Sequence, residues 1–281
     1  MASRRTPDRA ARRHFGRTLA WALAGAVVFG LPTLMTMELW DLGSYTDEWR
    51  MAAFSAASVA MFFGLAYYLG FEPTLRLRTD LLDAFIAYGI GFVTAGATLA
   101  LLGIIGPDMG SDEALGRVAI QVFPCGLGAL LARKQLRRGP EDDAQSARRR
   151  SSSYHGQLFL MAVGAVFLSL NLAPTDEMVI IAHQITSAQA VLLSFVTVAA
   201  MHGFVWSSPL YDAAFHAQPR HGWQALALFT VVGYAIALVI SAYMLWTFGR
   251  LEGMSAVETL KALVVLAFPA VIGAAASRLI L

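Results

Sequence analysis

"GAVFLSLNLAPTDEM" runs from Gly164 to Met178 and is the second occurrence of a pattern. "GAVVFGLPTLMTMEL", from Gly25 to Leu39, lies over it at a constant offset of 139 residues. The overlay pairs Thr36 with Thr175 and Glu38 with Glu177, and it runs without a gap to Gly64 over Gly203. A second zone follows at an offset of 145, where Glu113 meets Glu258 and "FPCGLGALLAR" (123–133) meets "FPAVIGAAASR" (268–278). Two matching zones in the same order point to an internal duplication.

The residues around these motifs are apolar. Of 281 residues, 57% are hydrophobic and only 14% charged, where a soluble domain carries about a quarter charged residues. The apolar residues fall into eight blocks: 17–42, 51–71, 81–105, 115–133, 156–182, 188–206, 223–247 and 260–280. Each is near the roughly 20 residues that a helix needs to cross a hydrocarbon core. Strands of a barrel would alternate over about ten residues, and no such alternation is present. The expected fold is an all-α membrane protein with eight transmembrane helices. The first block has its counterpart in the repeat, so it is expected to be a retained span rather than a cleaved signal. Cys125, the single cysteine, rules out an internal disulfide.

With both ends placed in the cytoplasm, 17 of the 21 basic residues fall on that side, leaving only Arg50, Arg117, Arg250 and Lys261 outside. Lys and Arg in short loops are retained on the cytoplasmic face, which fixes this orientation. Four spans per repeat is an even number, so both halves enter and leave on one side. The expectation is two parallel four-helix repeats related by a pseudo-twofold axis along the membrane normal. The organisation is then a basic cytoplasmic tail (1–16), a first repeat (17–136), a polar cytoplasmic linker (137–153) and a second repeat (154–281). The basic tail suits anionic lipid rather than nucleic acid. A homo-oligomer is left open.

Asn171, Pro174, Thr175, Asp176 and Glu177 interrupt an otherwise apolar stretch. Proline removes one helix hydrogen bond, and in lipid the freed carbonyl must find a donor or water. The motif therefore predicts a helix break lining a polar cavity, with oxygen ligands of the kind that hard cations favour. The first repeat offers a similar set with Pro32, Thr33, Thr36 and Glu38. Counting about 1.5 Å per residue from Arg17 puts Glu38 about 31 Å along the axis, at the outer boundary rather than the midplane. Pro124 and Pro269 stand near the middle of spans four and eight, followed by Gly128 and Gly273. Small residues at four-residue spacing let backbones approach closely, and these helices are expected to pack on each other across the two halves. Glu113 with Arg117, and Glu258 with Lys261, have the spacing of exposed pairs that ornament helix ends. His202 is a candidate proton shuttle with a bland packing role as its alternative.

"LPTLMTMELW" (31–40) and "NLAPTDEM" (171–178), in a duplicated eight-span chain, resemble a bacterial integral membrane family of unknown function. The family run is Thr-Met-Glu-Met-Trp, from which Leu39 departs conservatively. The resemblance implies a multi-pass protein of the bacterial inner membrane and no particular activity.

The leading expectation is a secondary transporter or channel for a small cation or proton, with Glu38 and Glu177 as an acidic pair supported by Asn171, Thr36, Thr175 and Asp176. The alternative is a non-transporting scaffold or sensor that acts through its basic cytoplasmic segments. Motifs of hydrolases, P-loops and zinc sites are missing, so no cofactor or metal is expected and an enzyme is disfavoured.

Overall fold

A computed structural model describes residues 6–69, 77–136, 153–207 and 226–280. Residues 1–5 of the basic tail and 137–152 of the linker lie outside the described residues. Ten α-helices and a π-helical turn make up the described residues, which contain no strand. They are α1 (Thr6–Leu34), α2 (Met37–Tyr45), α3 (Glu48–Leu69), α4 (Leu77–Leu101), α5 (Ser111–Leu136), α6 (Tyr154–Leu172), α7 (Asp176–Gln184), α8 (Ser187–Ser207), the π-turn Leu226–Val231, α9 (Val232–Thr247) and α10 (Ala256–Ile280). Eight of them, all but the short α2 and α7, are long and apolar enough to cross a membrane. Their large apolar side chains face outward as often as inward: Phe195 is 70% exposed and Val93 63%. A water-soluble chain of this size would not leave such a surface uncovered, whereas lipid tails cover it at no cost.

The chain divides into two compact units, Met1–Ser44 with Ala53–Ala144, and Tyr45–Ala52 with Gln145–Leu281. The first turn of α3 thus clusters with the second unit rather than with the sequence that flanks it. In the first unit α5 is the hub, packing on α1 and α4. Its apolar window is 78% buried, the most of any span. Phe54 and Phe62 of α3 pack on Phe123 at centroid distances of 6.4 and 5.8 Å. In the second unit α10 holds the corresponding place, against α6, α7, α8 and α9.

Both hubs meet the first helix of their unit through paired glycines. A side chain at Gly25 would overlap the Gly128 carbonyl and the Ala132 methyl group, and one at Gly164 would overlap the Gly273 carbonyl and press on Ser277 Cβ. Gly25 and Gly164 are repeat partners, as are Gly128 and Gly273. The atoms nearest to Gly128 and Gly273 therefore belong to α1 and α6 of their own units. The spacing signal was right about close approach, but spacing alone does not say which helix approaches. Pro124 and Pro269 sit inside α5 and α10, which continue past them.

Helix starts carry local signals. Thr186 and Gln189 bond reciprocally before α8, with Gln189 N donating to Thr186 Oγ1 at 3.2 Å and Thr186 N to Gln189 Oε1 at 2.9 Å. Ser255 and Glu258 do the same before α10, at 3.3 and 2.8 Å. These are capping boxes, which satisfy orphan N–H groups of the first turn. Glu258 thus caps its helix, with His183 Nε2 3.5 Å from its other oxygen and the charge of Lys261 also acting on it.

Candidate functional site

Blocks one and five, residues 17–42 and 156–182, are each divided. α1 stops at Leu34 and α2 starts at Met37; α6 stops at Leu172 and α7 starts at Asp176. Met37 and Asp176 are repeat partners, and each opens a helix of 9 residues. The prolines do not set this register, because Pro32 lies inside the last turn of α1 while Pro174 lies beyond α6. What the two breaks share is a threonine immediately before the short helix, Thr36 and Thr175.

Both threonine hydroxyls turn back. Thr36 Oγ1 donates to Pro32 O at 2.6 Å, and Thr175 Oγ1 donates to Leu172 O at 2.9 Å. Asn171 Nδ2 donates to Phe167 O at 2.6 Å. A hydroxyl has one proton and two lone pairs, and an amide oxygen has lone pairs only. With their single donors committed to the backbone, Thr36 and Thr175 present acceptor oxygens alone, while Asn171 keeps its amide oxygen and one further N–H.

Two residues that sequence reasoning passed over complete the breaks. In the first unit the buried Gln121 of α5 donates through Nε2 to Thr33 O at 2.9 Å, a carbonyl that the end of α1 exposes. In the second unit Arg250 donates through Nη2 to Pro174 O and through Nη1 to Asp176 Oδ1, the latter at 2.8 Å. Asp176 is therefore half of an ion pair, held through Oδ1. Both residues did carry a signal: Gln121 interrupts the apolar run "VAIQVFPC", and Arg250 is one of the four basic residues that the expected orientation leaves outside the cytoplasm.

The carboxylates Glu38 and Glu177 occupy the second position of α2 and α7. Glu177 is exposed and Glu38 half-buried. Neither has a hydrogen-bond or ion-pair partner among the described residues. Their place in a first helical turn suits a negative charge, because unpaired backbone N–H groups gather there.

Arg117 is more than an ornament of a helix end. Its side chain is only 12% exposed, and it donates to Ser44 Oγ at 2.8 Å, Ile104 O at 3.0 Å and Glu113 Oε1 at 2.7 Å, with Trp40 5.1 Å away across its face. It ties the end of α2 to the turn after α4. Arg117→Lys keeps the charge but loses the planar fork, so it should lower stability in detergent by about 1–2 kcal/mol, read by chemical unfolding. In the second unit Arg50 lies beside the edge-to-face pair Trp49 and Trp246, 5.7 and 5.6 Å from their centroids, and bonds Glu252 at 2.7 Å. His202 Nδ1 stands 3.1 Å from Thr230 Oγ1. Among the described residues no three His, Cys, Asp or Glu side chains converge as metal ligands.

No curated protein and no solved structure matches the chain. Residues 18–281 match the model of a family described as "Putative integral membrane protein (DUF2391)". That match spans nearly all of the chain, including both breaks and all eight candidate spans, and the protein belongs to this family of integral membrane proteins.

Proposed function

We propose that this protein moves a small cation or proton across a bacterial inner membrane, as two parallel four-helix repeats with both termini in the cytoplasm. One observation carries this reading. At the same repeat position in each half, a helix breaks, the side-chain donors at the break turn back to the backbone, and an unpartnered carboxylate follows two residues after the threonine. Such an arrangement presents oxygen lone pairs and negative charge at each break. Intramembrane or boundary carboxylates of this kind commonly mark ion and proton paths. The equivalent glycine crossings, Gly25 with Gly128 and Gly164 with Gly273, support the repeat as the structural unit.

Reconstitution in liposomes tests the proposal. The unmodified protein should give proton, Na⁺ or K⁺ flux above empty liposomes, and Glu177→Gln should reduce it at least about tenfold, with Glu38→Gln reducing it less because Glu38 is partly covered. Flux that is indifferent to both substitutions removes the carboxylates from the path. Flux no greater than that of empty liposomes returns the scaffold or sensor reading.

A further inference from the structure

The short helix α7, which carries Glu177, is held differently at its two ends. At its start Arg250 bonds Asp176 and the Pro174 carbonyl. In its last turn stands His183. The ring Nδ1 lies 2.8 Å from Val179 O, and Nε2 lies 3.5 Å from Glu258 Oε1 on α10, against which α7 packs.

Two acceptors thus face two ring nitrogens, and a neutral imidazole has one proton to serve both. A backbone carbonyl only accepts, so at 2.8 Å that proton sits on Nδ1. Nε2 is then a bare lone pair turned toward a carboxylate oxygen, which also has lone pairs only. The separation agrees, because 3.5 Å exceeds the roughly 2.7–3.2 Å of a hydrogen bond from nitrogen. A second ring proton, on Nε2, would convert this contact into a charge-assisted bond of about 2.7–2.9 Å.

Glu258 keeps its place in either state. Ser255 N donates to its Oε2 at 2.8 Å, which leaves Oε1 for His183. The other charges near this contact are few. Lys261, one turn beyond Glu258 on α10, also acts on Glu258. Asp176 and Glu177 lie about 9–10 Å back along α7, the former tied to Arg250. α8, into which α7 leads, contains no Asp, Glu, Lys or Arg. A cationic ring would also meet the partial negative charge of the carbonyls that end α7.

We propose that His183 and Glu258 form a proton-operated latch, which fastens the end of α7 to α10 in acid and releases it as pH rises. Histidine is the side chain that changes charge between about pH 5 and 8. Below that window the ring serves both acceptors. Above it the Glu258 bond is lost and the hold of Arg250 on the start of α7 remains. The latch does not depend on the transport reading; under that reading it regulates the site, because α7 positions Glu177.

Two measurements on the full chain in detergent test it, at pH 8 and at pH 5.5, the latter still above the ordinary carboxylate range of about 4. Nitrogen NMR of the imidazole, assigned by loss of the signal in His183→Phe, reads which ring nitrogens carry protons. Amide exchange over residues 181–186, corrected for its intrinsic pH dependence, reads the hold on α7. Glu258→Gln keeps the capping box, and its amide N–H can donate to the neutral ring. The expected result is a proton on Nδ1 alone at pH 8 and on both nitrogens at pH 5.5. Protection should rise about three- to fivefold on acidification of the unmodified protein, the scale of a half-exposed ion pair. It should stay high at both pH values in Glu258→Gln and low at both in His183→Phe. A proton on Nε2 rather than Nδ1 at pH 8, or protection indifferent to pH in the unmodified protein, overturns the latch. So does an undiminished rise in His183→Phe, or in Glu258→Gln should the phenylalanine variant fail to fold. Flux plays no part in these readings, so a protein silent in liposomes but showing the expected pattern would lose the transport reading and keep the latch.

Discussion

Gly273→Ala should be among the most damaging single-methyl changes in the second unit, lowering stability by about 3 kcal/mol or more. The added Cβ would overlap the carbonyl of Gly164 and come within 3.0 Å of Leu168 Cβ. A flexible side chain could swing aside, but a helix carbonyl cannot, so α6 and α10 must separate along their whole contact. Gly128→Ala should do the same to α1 and α5, where the obstruction is the Gly25 carbonyl. Gly89→Ala serves as the control. It is exposed with nothing within 4 Å of the new Cβ, so it should be neutral or stabilising by about 0.5–1 kcal/mol, the usual helix preference for alanine. Thermal unfolding in detergent compares the three. A Gly273→Ala protein as stable as Gly89→Ala would show that the crossing is loose.

Arg250→Met should cost about 2–3 kcal/mol, and the loss should come from a carbonyl rather than from a carboxylate. Methionine replaces the buried stem of the arginine and removes both of its donors. Asp176, whose side chain is 72% exposed, is then simply hydrated. Pro174 is buried, and its carbonyl loses the guanidinium that satisfies it. Asp176→Asn should accordingly cost less than about 1 kcal/mol, as exposed ion pairs do. Arg250→Lys should fall between, because an ammonium cannot serve two acceptors in a fixed fork. Chemical unfolding of the three variants gives the order. Equal losses in Arg250→Met and Asp176→Asn would mean that the ion pair, not the helix break, is what Arg250 supports.

The spans were legible in the sequence because lipid demands length and apolarity from each helix by itself. Hydropathy averages over many residues, however, so it ran blocks one and five straight through breaks of two or three residues at Met35–Thr36 and Ala173–Thr175. The proline in "NLAPTDEM" announced the second break correctly, while Pro32 misplaced the first, since a proline in the last turn need not end a helix. The shared threonines mark both. Partners across the chain were the part that local pattern could not supply. Arg250 reaches Pro174 over 76 residues and Gln121 reaches Thr33 over 88. Nothing in the spacing of Gly128 and Ala132 tells α5 to choose α1. Of the expected site residues, Asp176 has in Arg250 a partner that local pattern could not show, whereas Thr36, Thr175 and Asn171 each donate to a backbone carbonyl close in sequence.

The assignment of Tyr45–Ala52 to the second unit bears on how the protein is made. The ribosome delivers Trp49 and Arg50 early, yet Trp246 and Glu252, which receive them, emerge about 200 residues later. The opening turn of α3 must therefore wait, inserted but unmatched, through the synthesis of most of the chain. A gene cut between the halves would not yield two self-sufficient products. The earlier polypeptide would carry a fitted tab for the later one, and the later one would be born with an arginine-shaped gap between Trp246 and Glu252. A single gene delivers both in one molecule at a fixed ratio.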